Sequence, residues 1–157
     1  MGEEIVRSSD VLYTIVRPSA IYGLGGSKKS FAEYVAEKLS RGEEVPALAD
    51  QYVSPTYNRY LAEAIARVLE LRPLGTLHVA GERASRYDFA LAIAELLGAP
   101  KDLVKPARTS DMRHWAARRP RDSSLDTSRA RELLGLAHDS RKALEDFVAE
   151  YLARRGQ

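Results

Sequence analysis

The 157 residues carry 24 Lys and Arg against 22 Asp and Glu, a formal net charge of +2, with hydrophobic residues at 45% and charged ones at 29%. That length and apolar share suit one domain with a sizeable core and exclude a disordered or fibrous chain. Cysteine is absent, which excludes disulfide frameworks, thiol catalysis and Cys-based zinc sites, while the small net charge gives no whole-protein field for nucleic acid.

Within this near-neutral chain the basic residues are mostly Arg, 18 against 6 Lys, and seven Arg against three Asp fall between Arg108 and Arg131. Such a surplus suits an anion, because guanidinium binds phosphate in a bidentate way, although a solvated helix face gives the same composition. His78, His114 and His138 are too widely spaced for paired metal ligands, so no metal site is expected. No apolar run approaches the roughly 18 residues of a membrane span, so no membrane partner is expected. The acidic Met1-Gly2-Glu3-Glu4 start is unlike a basic signal peptide, and the expected setting is cytoplasmic.

In chain order, Val11 to Val16 is a continuous β-branched and apolar run, which predicts a strand buried on both faces as in a parallel sheet. It ends at Arg17-Pro18, and the Gly-rich turn Tyr22 to Gly26 follows. Ser30-Phe31-Ala32-Glu33 has the form of a capping box, opening a helix that runs to Gly42 with Phe31, Tyr34, Val35 and Leu39 inward. A second helix is predicted over 57–71 with Leu61, Ile65, Val68 and Leu69 inward, and Gly75 to Gly81 reads as a short strand. Ser85 caps a third helix presenting Phe89, Ile93, Leu96 and Leu97 before Gly98. An irregular stretch follows, then a short helix over 126–134 closed by Gly135. A last helix from about Ser140 presents Leu144, Phe147, Val148, Tyr151 and Leu152. Strands alternating with helices give an α/β class. Two convincing strands are too few to cover one another, so the chain looks like part of a larger sheet.

Candidate chemistry is sparse. Gly23 to Ser30 departs from the phosphate loop GxxxxGK[ST] only at Lys28, where the second Gly belongs, and Val45 to Asp50 is a poor second motif because Pro46 interrupts it. A P-loop-like nucleotide binder is therefore a remote alternative. Tyr34-Val35-Ala36-Glu37-Lys38 has the YxxxK spacing of a proton-transfer pair, but Tyr34 falls on the apolar stripe and reads as a buried core tyrosine beside an exposed Lys38. His78 reads as a core histidine in its strand, and Trp115 beside His114 as packing. Ligands of open α/β sheets bind at the carboxyl ends of strands, where Arg17, Pro18, Ser19 and Tyr22 fall.

Four segments together resemble a known family. Arg17 to Gly23 is similar to the RxxxxYG segment after the sixth strand of extended short-chain dehydrogenases. Asp50 to Thr56 resembles the DQxxxPT stretch of dTDP-4-dehydrorhamnose reductases, Gly75 to Gly81 their GxxHxxG strand, and Ala117 to Asp126 their ARRPxxSxLD signature. The regulatory subunit of methionine adenosyltransferase shares the pattern, which leaves a non-catalytic binding subunit as an alternative.

The resemblance implies the C-terminal portion of a Rossmann-type extended short-chain dehydrogenase, its last parallel strands plus a helical substrate-binding subdomain. The whole of 1–157 would be one domain, with 1–24 a remnant of the Rossmann sheet. It further implies an oxidoreductase using NADP or NAD on a dTDP-4-keto-6-deoxy sugar, as in dTDP-rhamnose biosynthesis. Pro18, Ser19 and Tyr22 would lie at the cofactor. Arg17, Ser27, Ser30, Phe31, Asp50, Gln51, Arg118 and Arg119 would bind the nucleotide sugar, with Arg119 on its diphosphate. Ser30 stands where the family often has Asn. The family's GxxGxxG fingerprint and catalytic YxxxK lie upstream of the matching segments, so the sequence offers no catalytic residue and the chain is expected to be inactive alone. A homodimer across the uncovered sheet edge, or a missing N-terminal half, are the expected protein partners.

Overall fold

The computed structural model describes residues 2–112, 117 and 119–156, and among them eight short strands are interspersed with six α-helices. The strands form four two-stranded sheets. β1 (Thr14–Arg17) runs parallel to β6 (Gly75–His78), with Arg17 opposite His78. β2 (Ile21–Tyr22) is parallel to β5 (Thr56–Tyr57), and β3 (Val45–Leu48) to β8 (Val104–Ala107). Only β4 (Tyr52–Val53) and β7 (Ala84–Ser85) are antiparallel. The α/β class holds, and the parallel ladders follow from helices inserted between paired strands. The count of two strands does not hold: β2, β4, β5 and β7 are too short to show a period, and β3 and β8 are each interrupted by a proline.

The expected strand at 11–16 is displaced. β1 begins at Thr14, where Gly75 first faces it, while Val11 and Leu12 are 62% and 86% exposed. β1 is half-buried rather than covered on both faces, since β6 is its one neighbour among the described residues. The run Val45 to Leu48 is a true strand despite Pro46. β3 and β8 pair with each other alone among the described residues, so the donor that Pro46 and Pro106 lack is not called on at the open edges.

α2 (Phe31–Ser40) and α4 (Arg86–Leu97) pack on the β3–β8 pair and α6 (Ser140–Arg155) packs against both helices, with Val35, Ile93, Leu144 and Phe147 in the larger core. Local chemistry fixes all three starts, with Asp139 Oδ1 accepting from Lys142 N–H at 2.9 Å ahead of α6. Ser30 Oγ accepts from Glu33 N–H at 3.2 Å, and Ser85 Oγ accepts from Asp88 N–H at 2.9 Å. A second cluster, Ala64, Val68, Leu77, Val79, Ala130 and Leu134, joins α3 (Asn58–Leu71) and α5 (Ser128–Leu134) to β6.

Several inward assignments are corrected. Ile65 and Leu69 are 43% and 71% exposed, because α3 rests on its small face through Ala64 and Val68. Leu152 is likewise half exposed near the end of α6. Tyr34 is not a core residue. It lies at the surface with its ring stacked on Phe31 at 6.3 Å, and Lys38 is half-buried and paired with Glu43 at 2.5 Å. His78 is half-buried, its Nε2 3.4 Å from Arg17 Nη1. α1 (Gly2–Arg7) had no pattern to betray it; it is tied down where Arg17 donates to Glu3 at 2.7 and 2.5 Å.

Candidate functional site

The β4–β7 pairing brings the start of α4 against the start of α2, and between them opens a cleft of about 220 Å³. Phe31, Val53, Pro55, Arg86 and Phe89 line it, with Ala20, Ile21 and Tyr22 along one side. The walls are apolar apart from Arg86, the first residue of α4. Its main-chain N–H donates to the Gln51 carbonyl at 3.3 Å and its Nε to Gln51 Oε1 at 2.8 Å. The guanidinium sits 4.9 Å from the Phe31 ring centroid, within cation–π reach.

Burial lowers the Arg86 pKa, and the nearby charge of Arg119 lowers it further. Two cations near the N-terminal end of α4 make a field that favours an anion. Asp88 in the first turn offsets part of that field, although its Oδ2 is engaged by Ser85 Oγ at 2.6 Å. The group that suits the cleft is a polyanion carrying an apolar or aromatic body, which phosphate on a nucleoside supplies.

The residues expected from the sequence divide three ways. Phe31 lines the cleft, and Arg119 lies close enough to act on Arg86. Ser27 is exposed in the turn before α2. Ser30 spends its hydroxyl on the helix cap and on the Gly23 carbonyl at 3.3 Å. Asp50 and Gln51 are held by protein partners. Asp50 accepts from Thr109 Oγ1 at 2.7 Å and Thr109 N–H at 2.9 Å, and the hydroxyl bond first of all keeps its carboxyl below the usual range. Arg17 is engaged with Glu3. Arg118, like His114 and Trp115, lies outside the described residues.

Of the residues expected at a cofactor, Pro18 is exposed. Ser19 follows it, its carbonyl accepting from Thr56 Oγ1 at 2.5 Å. Tyr22 is 3% exposed, its ring 5.4 Å from Tyr57 and 5.2 Å from Phe89, and its buried hydroxyl has no hydrogen-bond partner among the described residues. Burial raises its pKa far above the usual phenol value. Among the described residues no three His, Asp or Glu side chains gather as metal ligands, and no helix is long and apolar enough to cross a membrane.

The residue that sequence reasoning missed is Arg86. Its signal was available, since an Arg directly after the cap Ser85 sets a cation at the helix end that prefers an anion.

The RmlD substrate binding domain model matches residues 1–153. The chain belongs to that family. It is 32% identical over 152 residues to the dTDP-4-dehydrorhamnose reductase of Mycolicibacterium smegmatis, covering 94% of this chain and 46% of the relative. It is 32% identical over 153 residues to a spore coat polysaccharide biosynthesis protein of Bacillus subtilis, covering 96% and 52%. The dTDP-4-dehydrorhamnose reductase of Bacillus anthracis, solved in complex with NADP, superposes with a TM-score of 0.83 at 31% identity, over 95% of this chain and 52% of that one. The chain spans about half the length of the relatives it matches. The fold is thus similar to the matching half of extended short-chain dehydrogenases, and the named relatives include dTDP-sugar reductases.

Proposed function

We propose that this RmlD substrate-binding domain forms the nucleotide-sugar site of a dTDP-4-keto-6-deoxy sugar reductase. The observation that carries the reading is Arg86, half-buried between Phe31 and Gln51 with the charge of Arg119 beside it. The two guanidiniums take the diphosphate, and Phe31 with Pro55 and Phe89 receives the apolar faces of base or sugar. The relatives' names, dTDP-4-dehydrorhamnose reductases among them, support the dTDP-linked substrate class.

Pro18 and Ser19, at the end of β1, are the residues assigned to the cofactor side. With Tyr22 turned into the core they offer a wall and no phosphate cradle, and GxxGxxG does not occur in the sequence. The residues present therefore do not hold a dinucleotide by themselves, and we assign this chain nucleotide-sugar binding without hydride transfer.

Calorimetric titration with dTDP, dTMP and thymidine tests the reading. Affinity should fall in that order as charge-assisted bonds are removed. Arg86→Met or Arg119→Ala should each weaken dTDP binding by roughly 1.5–3 kcal/mol, about ten- to hundredfold. Equal affinity for dTDP and thymidine, or no dTDP binding at millimolar concentration, refutes it.

A further inference from the structure

Three consecutive residues each hold a different wall of the cleft region. Asp50 anchors Thr109, where the Arg-rich stretch begins, and Gln51 anchors Arg86. Tyr52 anchors the same stretch further on, just past Arg119. Its N–H donates to the Arg121 carbonyl at 2.7 Å and its carbonyl accepts from Ser123 N–H at 3.0 Å, which sets Asp122 opposite Tyr52 in a parallel bridge.

Arg83 closes the arrangement. Its guanidinium carbon lies 3.6 Å from the Tyr52 ring centroid, and its Nε donates to Asp122 Oδ2 at 2.8 Å. The other carboxylate oxygen of Asp122 accepts from Ser124 Oγ at 2.6 Å and Ser124 N–H at 3.0 Å. One residue on, Leu125 N–H donates to the buried Ser54 Oγ at 3.1 Å. Asp122 thus ties the segment that carries Arg119 to the strand flanking the cleft.

Both members of the Asp122–Arg83 pair are about half exposed, so their bond adds little to global stability. A carboxylate three residues from Arg119 also adds negative charge to the segment that would meet a phosphate. What the pair supplies is geometry: beside the backbone bonds of the Arg121 carbonyl and the Ser123 and Leu125 amides, it fixes Asp122, three residues after Arg119.

We propose that Asp122, clasped by Arg83 over the Tyr52 ring, is a positioning residue for diphosphate binding. It acts on the ligand only through the segment bearing Arg119, and the inference rests on the nucleotide-sugar reading of the cleft. Electrostatics and positioning predict opposite signs for its removal. Deleting a negative charge three residues from Arg119 favours an incoming anion; releasing the segment weakens binding, because Arg119 must then be ordered at the moment of binding.

The experiment compares wild type, Asp122→Ala, Arg83→Met and the double variant by dTDP calorimetry, by hydrogen exchange at the Ser123 and Leu125 amides, and by urea midpoint. Asp122→Ala is expected to bind dTDP about five- to tenfold more weakly, and the double variant no more weakly than the worse single one, as for residues acting through one contact. Exchange at Ser123 and Leu125 is expected to accelerate at an unchanged urea midpoint. Binding by Asp122→Ala equal to or tighter than wild type overturns the proposal, as does weaker binding with unchanged exchange. Failure of the wild type itself to bind dTDP removes the nucleotide reading, and the positioning role with it.

Discussion

Gly81→Ala is the sharpest available test of how the cleft is built. A Cβ on Gly81 would sit 1.9 Å from the Pro55 carbonyl oxygen, with His138 Cε1 at 3.0 Å and Nδ1 at 3.1 Å. The carbonyl belongs to backbone and has to retreat by about 1.5 Å to reach ordinary contact, far more than a close-packed interior absorbs. It has little room, because Pro55 lies between the buried Ser54 and Thr56, and Thr56 is held to the Ser19 and Ala20 carbonyls. The cost should be about 3–5 kcal/mol, at the upper end for one substitution. In a domain of this size that lowers Tm by on the order of 10 °C.

Gly135→Ala is the control for the same change without the clash. Gly135 has a φ of 64° and nothing within 4 Å of its would-be Cβ, so only left-handed backbone strain applies, about 1–2 kcal/mol. Urea unfolding followed by circular dichroism measures both. If Gly81→Ala costs no more than Gly135→Ala, the close approach of Gly81 to Pro55 is not a structural constraint and the reasoning is wrong. Pro55 also lines the cleft, so any folded Gly81→Ala protein should bind dTDP more weakly than Gly135→Ala does.

Other outcomes follow from single contacts. Phe147 is fully buried, its ring 5.7 Å from Tyr22, so Phe147→Ala should cost about 3–5 kcal/mol in urea unfolding. Ser85→Ala removes the cap on Asp88 N–H and should cost about 1 kcal/mol, read the same way. His138 accepts the Tyr57 N–H at 3.3 Å through Nε2, which leaves the proton on Nδ1 facing Ser140 Oγ at 3.2 Å. Burial holds its pKa below the ordinary 6.5, against the charges of Glu82 and Asp139. The unfolded chain therefore takes up the proton first as pH falls. The contribution of His138 is complete above pH 6.5 and is lost as pH drops from there through the lower folded value. Urea midpoints between pH 5 and 7.5 should fall toward acid in wild type and flatten in His138→Gln; parallel curves refute the assignment.

The caps and long helices were legible because their chemistry is local. Ser30 and Ser85 announce α2 and α4 by what they offer the next turn, and Gly98 and Gly135 announce the ends. Family motifs in chain order were legible too, and the family match agrees with them. Burial was less so. Periodicity gave α3 an apolar stripe through Ile65 and Leu69, but which stripe is covered depends on what stands beside the helix, and the packed face is the one bearing Ala64 and Val68.

The anion cleft belongs to tertiary structure alone. Asp50 and Gln51 looked like ligand contacts when read along the chain, yet in space they are engaged by Thr109 and Arg86. Arg86 lies 35 residues from Gln51 and 55 from Phe31, and only the β4–β7 pairing brings the three together. Sequence by itself determined the longer helices, the α/β class and the family, because these rest on local propensity and linear motifs. The cleft had to wait for the tertiary structure, since charge and burial at a point in space are set by residues that the chain keeps far apart.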